Sequence, residues 1–136
     1  MVDDSEQYRQ VVCAVLEKNG TILAARRKPD QTNGGLWEFP GGKVRSGESL
    51  HDALHREIGE ELNVAVTIHR GLPSVKWKYP WIAIELCPFV CSLADKREPE
   101  PHDHDALFFV SKAEALSLDW APADWKIVER YFVEAP

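Results

Sequence analysis

Glu57, Glu60 and Glu61 are the residues of this chain best suited to chemistry. Their spacing of three and four residues places them on one face of a helix, with Cβ atoms about 5–6 Å apart. Like charges at this spacing repel each other, so a helix face selected only for stability would carry a Lys or Arg among them. Clustered carboxylates suit Mg²⁺, which prefers oxygen ligands. The alternative is a solvated acidic face on which Arg56 pairs with Glu60.

The residues around these glutamates supply a glycine pair and a helix. Gly41 and Gly42 lack Cβ, so their backbone can approach the same cation. Apolar residues recur with a period near 3.6 from Ser49 onward, and Asn63, which tolerates the left-handed conformation, ends the pattern. We therefore predict a helix between these two residues. Gly59 lies inside it, and we interpret this glycine as a position of close packing.

These residues fit one longer pattern. Gly42 is followed after five residues by Glu48, and after seven more by the run REIGEE at 56–61. The pattern resembles the signature of the Nudix hydrolase family and places the Nudix box at residues 42–64. Asn63 stands where the family usually has Gly, and we expect this difference at the helix end to cost little stability.

The resemblance covers nearly the whole chain. The segment GLWEFPGGK at 35–43 and the arginine pair at 26–27 keep the residues and spacing of the MutT branch. LDWAPAD at 118–124 and PHDHDAL at 101–107 are most similar to bacterial CTP pyrophosphohydrolase-type members of the family. The resemblance implies that residues 1–136 form a single Nudix domain, an α/β/α sandwich in which helices flank a mixed β-sheet.

The resemblance also assigns a metal site. It implies that Glu57, Glu61 and the backbone carbonyl of Gly41 bind Mg²⁺, for which Mn²⁺ can substitute. Glu60 is implied to bind or support a further metal ion. The metal would neutralise a diphosphate and activate a water for in-line attack on phosphorus. In the MutT branch the products are a nucleoside monophosphate and pyrophosphate.

Other residues are implied to support this chemistry. Arg56 and Glu48 would orient the metal-binding carboxylates. Asp103 falls where the MutT branch has an acidic residue on a late loop, so it is either an extra ligand or general base, or else a plain surface residue. We interpret His102 and His104 as loop residues, because Mg²⁺ favours oxygen ligands.

The substrate contacts are open between two interpretations. Arg27 and Lys43 either contact the substrate phosphates or are ordinary solvated charges. Phe39, like Trp37 and Trp81, either stacks on a nucleotide base or belongs to the core.

Asp124 is the candidate for reading the base. It follows Pro122 and Ala123 at the start of a predicted last helix over 122–133. The MutT branch has an Asn here that reads oxidised guanine. An ionised Asp only accepts hydrogen bonds, which favours the exocyclic amine of cytosine. The alternative is a residue that complements the N-terminal dipole of the helix.

We therefore expect a Mg²⁺-dependent nucleoside triphosphate pyrophosphohydrolase that removes cytidine or oxidised nucleotides from the nucleotide pool. One alternative is the same chemistry on a dinucleotide or a nucleotide sugar. Another is an inactive module that recognises damaged bases, which the intact run REIGEE disfavours.

The composition of the chain limits the classes of binding partner that we expect. With 22 acidic and 16 basic residues the net charge is −6, which disfavours an extended nucleic-acid partner. We find no apolar run near the roughly 20 residues that span a bilayer, and no export signal, so we expect a cytoplasmic protein. The three cysteines are expected to be buried and unpaired. We expect a monomer or a weak dimer with a small nucleotide as its substrate.

The elements that must position these residues are strands alternating with few helices, which indicates a mixed sheet covered by helices. Asn19-Gly20 predicts a hairpin. Pro88 suggests a bulge or an edge in its strand. Ser111 and Glu114 predict a capping box at the start of a short helix. The predicted strands are 11–17, 21–26, 37–39, 64–68, 81–93 and 106–110, and 95–105 is predicted to be a loop.

Overall fold

The computed structural model describes residues 7–134. Its strands are β1 (Arg9–Lys18), β2 (Thr21–Arg27), β3 (Trp37–Glu38), β4 (Gly41–Lys43), β5 (Val66–Gly71), β6 (Val75–Tyr79), β7 (Ile82–Leu93) and β8 (His104–Val110). Its helices are α1 (Leu50–Leu62), α2 (Lys112–Ser117) and α3 (Pro122–Glu129), and a π-helical segment, Arg130–Glu134, follows. Within these residues no helix combines the length and apolarity needed to cross a membrane.

All eight strands belong to one mixed sheet. β1 runs parallel to β7 and antiparallel to β2 and β4. β2 also pairs with β3 and β8, and β7 pairs with β5 and β6, all antiparallel. The hairpin between β1 and β2 turns at Asn19 and Gly20, which have φ of 50° and 77°, as the Asn-Gly pair predicts.

Successive side chains of β1 enter two different cores. Val12, Ala14 and Leu16 pack with the apolar face of α1. Cys13 and Val15 pack on the other face of the sheet with residues of α2 and α3. All five side chains are at most 1% exposed, which explains why β1 reads as a continuous apolar run. The α/β/α sandwich predicted from the sequence is confirmed.

α1 begins and ends where its sequence predicts. The Ser49 hydroxyl accepts a hydrogen bond from the Asp52 N–H at 3.1 Å. Asn63 is left-handed, with φ of 55°, and its N–H donates to the Gly59 carbonyl. Gly59 itself is exposed, and a Cβ added there would meet nothing within 4 Å. The interpretation of Gly59 as a close-packed residue is therefore wrong.

Two short strands were not predicted. Gly41 and Gly42 lie beyond the predicted strand 37–39 and belong to β4. A Cβ on Gly41 would lie 1.9 Å from the Val12 carbonyl oxygen, so the close pairing of β4 with β1 requires glycine. β6 was missed although its exposure alternates, with Val75 buried and Lys76 exposed. The signal of period two was present over only five residues.

Two other expectations fail in detail. Pro88 lies in an inner strand, opposite Cys13 of β1, so the edge-strand interpretation is wrong. It is tolerated where β5 gives way to β6, and its carbonyl accepts from the Leu72 N–H at 2.9 Å. The last helix, predicted to run to residue 133, is regular only as far as Glu129 and continues as the π-helical segment.

Candidate active site

One cleft of about 320 Å³ brings together residues predicted from separate parts of the chain. β2, β3, β4, the end of α1 and the first turn of α3 all contribute to its walls. The predicted site residues in its lining are Arg27, Phe39, Gly41, Lys43, Glu61 and Asp124. We call the part of the cleft at Gly41 and Glu61 the metal end, and the part at Phe39 and Asp124 the base end, after the roles that the sequence predicts for them.

Arg56 organises the outer side of the metal end. Its Nε and Nη2 donate to the two carboxylate oxygens of Glu48 at 2.7 and 2.9 Å, and its Nη1 donates to Glu57 at 2.8 Å. Nη2 also donates to the Lys43 carbonyl at 3.0 Å. The hydrogen bond from Arg56 lowers the pKa of Glu48 to about 2. The pairing with Glu60 also exists but is longer, at 3.5 Å, so Arg56 does more than bridge one helix turn.

The glycine pair lies directly against two of the glutamates. The Gly41 N–H donates to Glu61 Oε2 at 3.1 Å. A Cβ on Gly42 would lie 2.3 Å from the Glu57 carboxylate. Burial raises the pKa of Glu61 to about 8, and the charges of Glu38 and Glu57 act in the same direction. A bound cation would offset both the cost of burying the ionised Glu61 and its repulsion by the neighbouring carboxylates.

The donor set fits Mg²⁺ if the substrate completes it. Among residues 7–134, no three His, Cys, Asp or Glu side chains are grouped so that they could hold a metal ion by themselves. Mg²⁺ is commonly bound by one or two carboxylates together with water and substrate phosphates. Glu57, Glu61 and the Gly41 carbonyl would supply the protein part of such a set. The Glu60 side chain is 56% exposed and suits an outer position.

Asp103 comes to the metal end through a backbone contact. The His102 N–H donates to the Glu61 carbonyl at 3.3 Å, which ties this loop to the end of α1. Asp103 is exposed, and its charge contributes to the raised pKa of Glu61. β8 begins at His104, two residues earlier than predicted, so the interpretation of His104 as a loop residue is wrong.

Sequence reasoning missed the pair formed by Glu38 and His104. Glu38 Oε2 lies 2.8 Å from His104 Nε2, and both Glu38 oxygens accept from Arg27 Nη1 at 3.3 Å. Arg27 Nε donates to the Thr32 carbonyl at 2.6 Å, so the guanidinium is held on two sides. The available signal was an acidic residue between the aromatic residues Trp37 and Phe39 in a very short strand.

Asp124 is buried at the base end, where its Oδ1 accepts from the Phe39 N–H at 2.9 Å. It lies in the first turn of α3, so it also complements the helix dipole. Burial raises its pKa well above the ordinary value, and the charge of Glu38 adds to this effect. The raised pKa favours the protonated form, which has a donor as well as an acceptor.

The aromatic candidates separate into core and rim. The Phe39 ring is nearly buried and stacks on Trp120 at a centroid distance of 4.8 Å, so its interpretation as a base-stacking ring is wrong. Trp37 is half-buried and packs against the same core. Trp81 is 51% exposed and stacks on Tyr79 at 5.0 Å, with both rings in the cleft wall. Trp81 therefore has the exposed ring face that stacking on a base requires.

Comparison with known proteins decides the family. The family described as NUDIX domain matches residues 7–131. The chain belongs to the Nudix family. A CTP pyrophosphohydrolase of Escherichia coli K12 is 37% identical over 123 residues, which is 90% of each protein. An 8-oxo-dGTP diphosphatase of Proteus vulgaris is 32% identical over 77 residues, covering 57% of this chain and 69% of that protein.

Comparison with solved structures agrees with this assignment. The solution structure of the Escherichia coli ORF135 protein has a TM-score of 0.78 at 33% identity, covering 96% of this chain and 93% of that one. A MutT NUDIX hydrolase from Burkholderia pseudomallei has a TM-score of 0.74 at 30% identity, covering 91% and 98%. The predicted Nudix fold and the assignment as a hydrolase of this family are confirmed. The box predicted at 42–64 runs from β4 through α1 in this Nudix hydrolase.

Proposed function

We propose that this chain is a Mg²⁺-dependent pyrophosphohydrolase that converts a cytidine or oxidised nucleoside triphosphate to the monophosphate and pyrophosphate. The observation that carries the proposal is the single cleft that joins the carboxylate-rich metal end to the buried Asp124. One nucleotide can bridge these two ends, with its phosphates at the first and its base at the second. We propose nucleotide-pool sanitation as the biological purpose of this activity.

At the metal end, Glu57, Glu61 and the Gly41 carbonyl would hold Mg²⁺, with Glu60 beside them. When bound, Mg²⁺ neutralises the diphosphate and supplies an activated water for in-line attack on phosphorus. Arg56 keeps Glu57 in position through its 2.8 Å hydrogen bond. An ordered ligand set is needed because a misplaced charge stabilises the transition state poorly.

The remaining polar residues of the metal end have distinct tasks in this proposal. Asp103 is exposed and its charge acts on Glu61, and in this proposal it would accept the proton of the attacking water. Lys43 is exposed in the cleft wall and would contact the leaving pyrophosphate. Arg27 would add a second cation from the other side, although Glu38 and Thr32 already hold its guanidinium.

The relatives support the proposed substrates. One is named for CTP and another for 8-oxo-dGTP, and the first is similar to this chain over 90% of its length. Asp124 is compatible with both bases, since its ionised form accepts from the cytosine amine and its protonated form also donates. We propose cytidine triphosphates as the preferred class because the more similar relative is named for CTP.

The test is a panel of canonical and modified nucleoside triphosphates with Mg²⁺, with kcat/KM and the initial products measured. We expect pyrophosphate and the monophosphate. Nucleoside diphosphate and orthophosphate as initial products would contradict the proposal. Preferential hydrolysis of a dinucleotide or a nucleotide sugar would move the enzyme to the alternative substrate class. Glu57→Gln should lower kcat about 10²-fold or more, which excludes a contaminating activity.

Asp124→Asn tests the base contact separately. This variant should change the ratio of kcat/KM between CTP and 8-oxo-dGTP by about 10- to 100-fold, because it replaces a titrating carboxyl with a fixed donor and acceptor. Asp119→Asn is the matched control, since Asp119 is exposed in the same segment. An unchanged ratio in Asp124→Asn would assign Asp124 to the helix end alone. The monomer or weak dimer stays a prediction, which light scattering in solution measures.

A further inference from the structure

Glu38 places in the cleft a carboxylate that the mechanism above does not use. It ends β3, lines the cleft, and its side chain is 20% exposed. Its Oε2 accepts from His104 and Arg27, and its Oε1 accepts from Arg27 at 3.3 Å. A carboxylate offers about four lone-pair sites. These three contacts leave room for one more donor on the exposed side.

The buried His104 side chain forms a hydrogen bond with the Glu38 carboxylate. Its side chain is 3% exposed, and its Nδ1 is buried with no hydrogen-bond partner in the part of the chain that the structure describes. In a neutral imidazole one nitrogen donates and the other accepts. Burying an unpaired N–H costs free energy, so we assign the proton to Nε2, where it is donated to Glu38. The ring therefore serves to fix the position of Glu38.

Glu38 also lies within electrostatic reach of both ends of the cleft. Its charge is the largest charge effect on the pKa of Glu61 and also on that of Asp124. A nucleotide with its phosphates at Glu61 and its base at Asp124 has its sugar between them. The sugar is uncharged and carries hydroxyl donors, whereas a phosphate beside Glu38 would be repelled.

We propose that Glu38 accepts a hydrogen bond from a ribose hydroxyl of the nucleotide, and that Arg27 and His104 hold the carboxylate in position for it. The inference rests on the proposed function and deepens it, because it adds selection for the sugar to the contacts with phosphate and base. A site that uses a polar group to bind a substrate hydroxyl discriminates against the analogue that lacks it.

The test compares kcat/KM for CTP with that for its 2′-deoxy, 3′-deoxy and 2′,3′-dideoxy analogues. We expect the wild type to lose about 10- to 100-fold when the contacted hydroxyl is removed, as for hydrogen bonds to charged groups. Glu38→Gln should lower kcat/KM for CTP by most of that factor. Its kcat/KM for the dideoxy analogue should stay close to that of the wild type. Asp105→Asn is the matched control. Asp105 lies on β8 beside His104 and forms an ion pair with Arg26 of β2, and neither residue lines the cleft. This variant should keep the selectivity of the wild type.

His104→Phe tests the positioning role. It removes the Nε2 donor and keeps a ring of similar size. We expect the ratio of kcat/KM between CTP and the dideoxy analogue to fall, while kcat/KM for the dideoxy analogue itself stays near that of the wild type. If His104 had a purely structural role, the variant would lower kcat/KM for both substrates by the same factor. That result would overturn this part of the proposal.

The outcomes separate this inference from the proposed function. Equal kcat/KM for CTP and the dideoxy analogue in the wild type overturns the sugar contact, and this result does not depend on any variant folding. A loss in Glu38→Gln that is the same for all four nucleotides overturns it too. If the wild type does not release pyrophosphate from any nucleoside triphosphate, the proposed function is wrong, and the sugar contact that rests on it is wrong too.

Discussion

Glu61→Gln should stabilise the metal-free protein at alkaline pH while removing its activity. The pKa of Glu61 is about 8 instead of 4.5, because the side chain is buried and because Glu38 and Glu57 are near. A raised pKa means that the folded protein binds this proton more tightly than the unfolded chain does. The resulting stability is fully present below pH 4.5 and is lost as the pH rises through 8. At about 1.4 kcal/mol per pKa unit, the loss is roughly 3–5 kcal/mol in the free energy of unfolding.

Urea denaturation in EDTA, followed by tryptophan fluorescence between about pH 5 and pH 9, measures this loss. Glu61→Gln should lack it and keep the dependence that comes from Asp124, whose pKa is also raised by burial. The variant should therefore gain about 3 kcal/mol on the wild type between about pH 5 and pH 8.5. Glu60→Gln is the matched control on the same helix, since its side chain is 56% exposed.

Adding Mg²⁺ provides the second half of the experiment. Mg²⁺ should raise the free energy of unfolding of the wild type at about pH 8, because a cation stabilises the ionised Glu61. The same addition should have little effect on Glu61→Gln, and kcat of that variant should fall about 10²-fold or more. A stability difference between the two proteins that does not change with pH would refute the reasoning, as would full activity of Glu61→Gln.

Three further predictions follow from the glycines and from the metal end. Gly42→Ala would place Cβ 2.3 Å from the Glu57 carboxylate, which can move, so it should lower kcat about tenfold or more with little loss of stability. Gly41→Ala would place Cβ 1.9 Å from the Val12 carbonyl oxygen, so it should destabilise the fold. Pyrophosphate release and urea denaturation distinguish the two, and equal stability of both variants would contradict this. Gly59→Ala should add about 0.5–1 kcal/mol to the free energy of unfolding, since nothing lies within 4 Å of the new Cβ, and a lower Tm would count against it. At limiting Mg²⁺, kcat/KM should rise from about pH 6 to pH 9 as the buried carboxylate at the metal end ionises, and saturating Mg²⁺ should move the rise to lower pH; an optimum below about pH 6 would be inconsistent with this scheme.

The parts of the molecule that the sequence predicted well depend on local information. α1 is determined by the capping hydroxyl of Ser49, an apolar period and the left-handed Asn63, all within one segment. These features follow from helix geometry and do not depend on how the rest of the chain packs. Arg56 and Glu48, whose hydrogen bond spans eight residues, were assigned by the family resemblance, because Glu48 precedes α1.

The parts that the sequence did not predict depend on contacts between distant segments. His104 and Glu38 are 66 residues apart and meet only because β3 and β8 both pair with β2. The contact between Asp124 and the Phe39 N–H spans 85 residues. Burial of Asp124 raises its pKa, and burial is a property of the assembled core. A residue type at a helix start indicates a cap, but it does not indicate a buried carboxyl.

The attachment of residues 119–121 to β3 has a consequence for evolution. The Trp37 N–H donates to the Asp119 carbonyl at 2.9 Å, and the Ala121 N–H donates to the Trp37 carbonyl at 2.8 Å. The base end thus depends on a late segment, whereas the glutamates of the metal end lie within α1. In the proposed function, substitutions in the late segment would change which base is accepted while the hydrolytic residues are inherited unaltered. Divergence of nucleotide preference would then need few mutations, and the relatives of this chain include one named for CTP and one named for 8-oxo-dGTP.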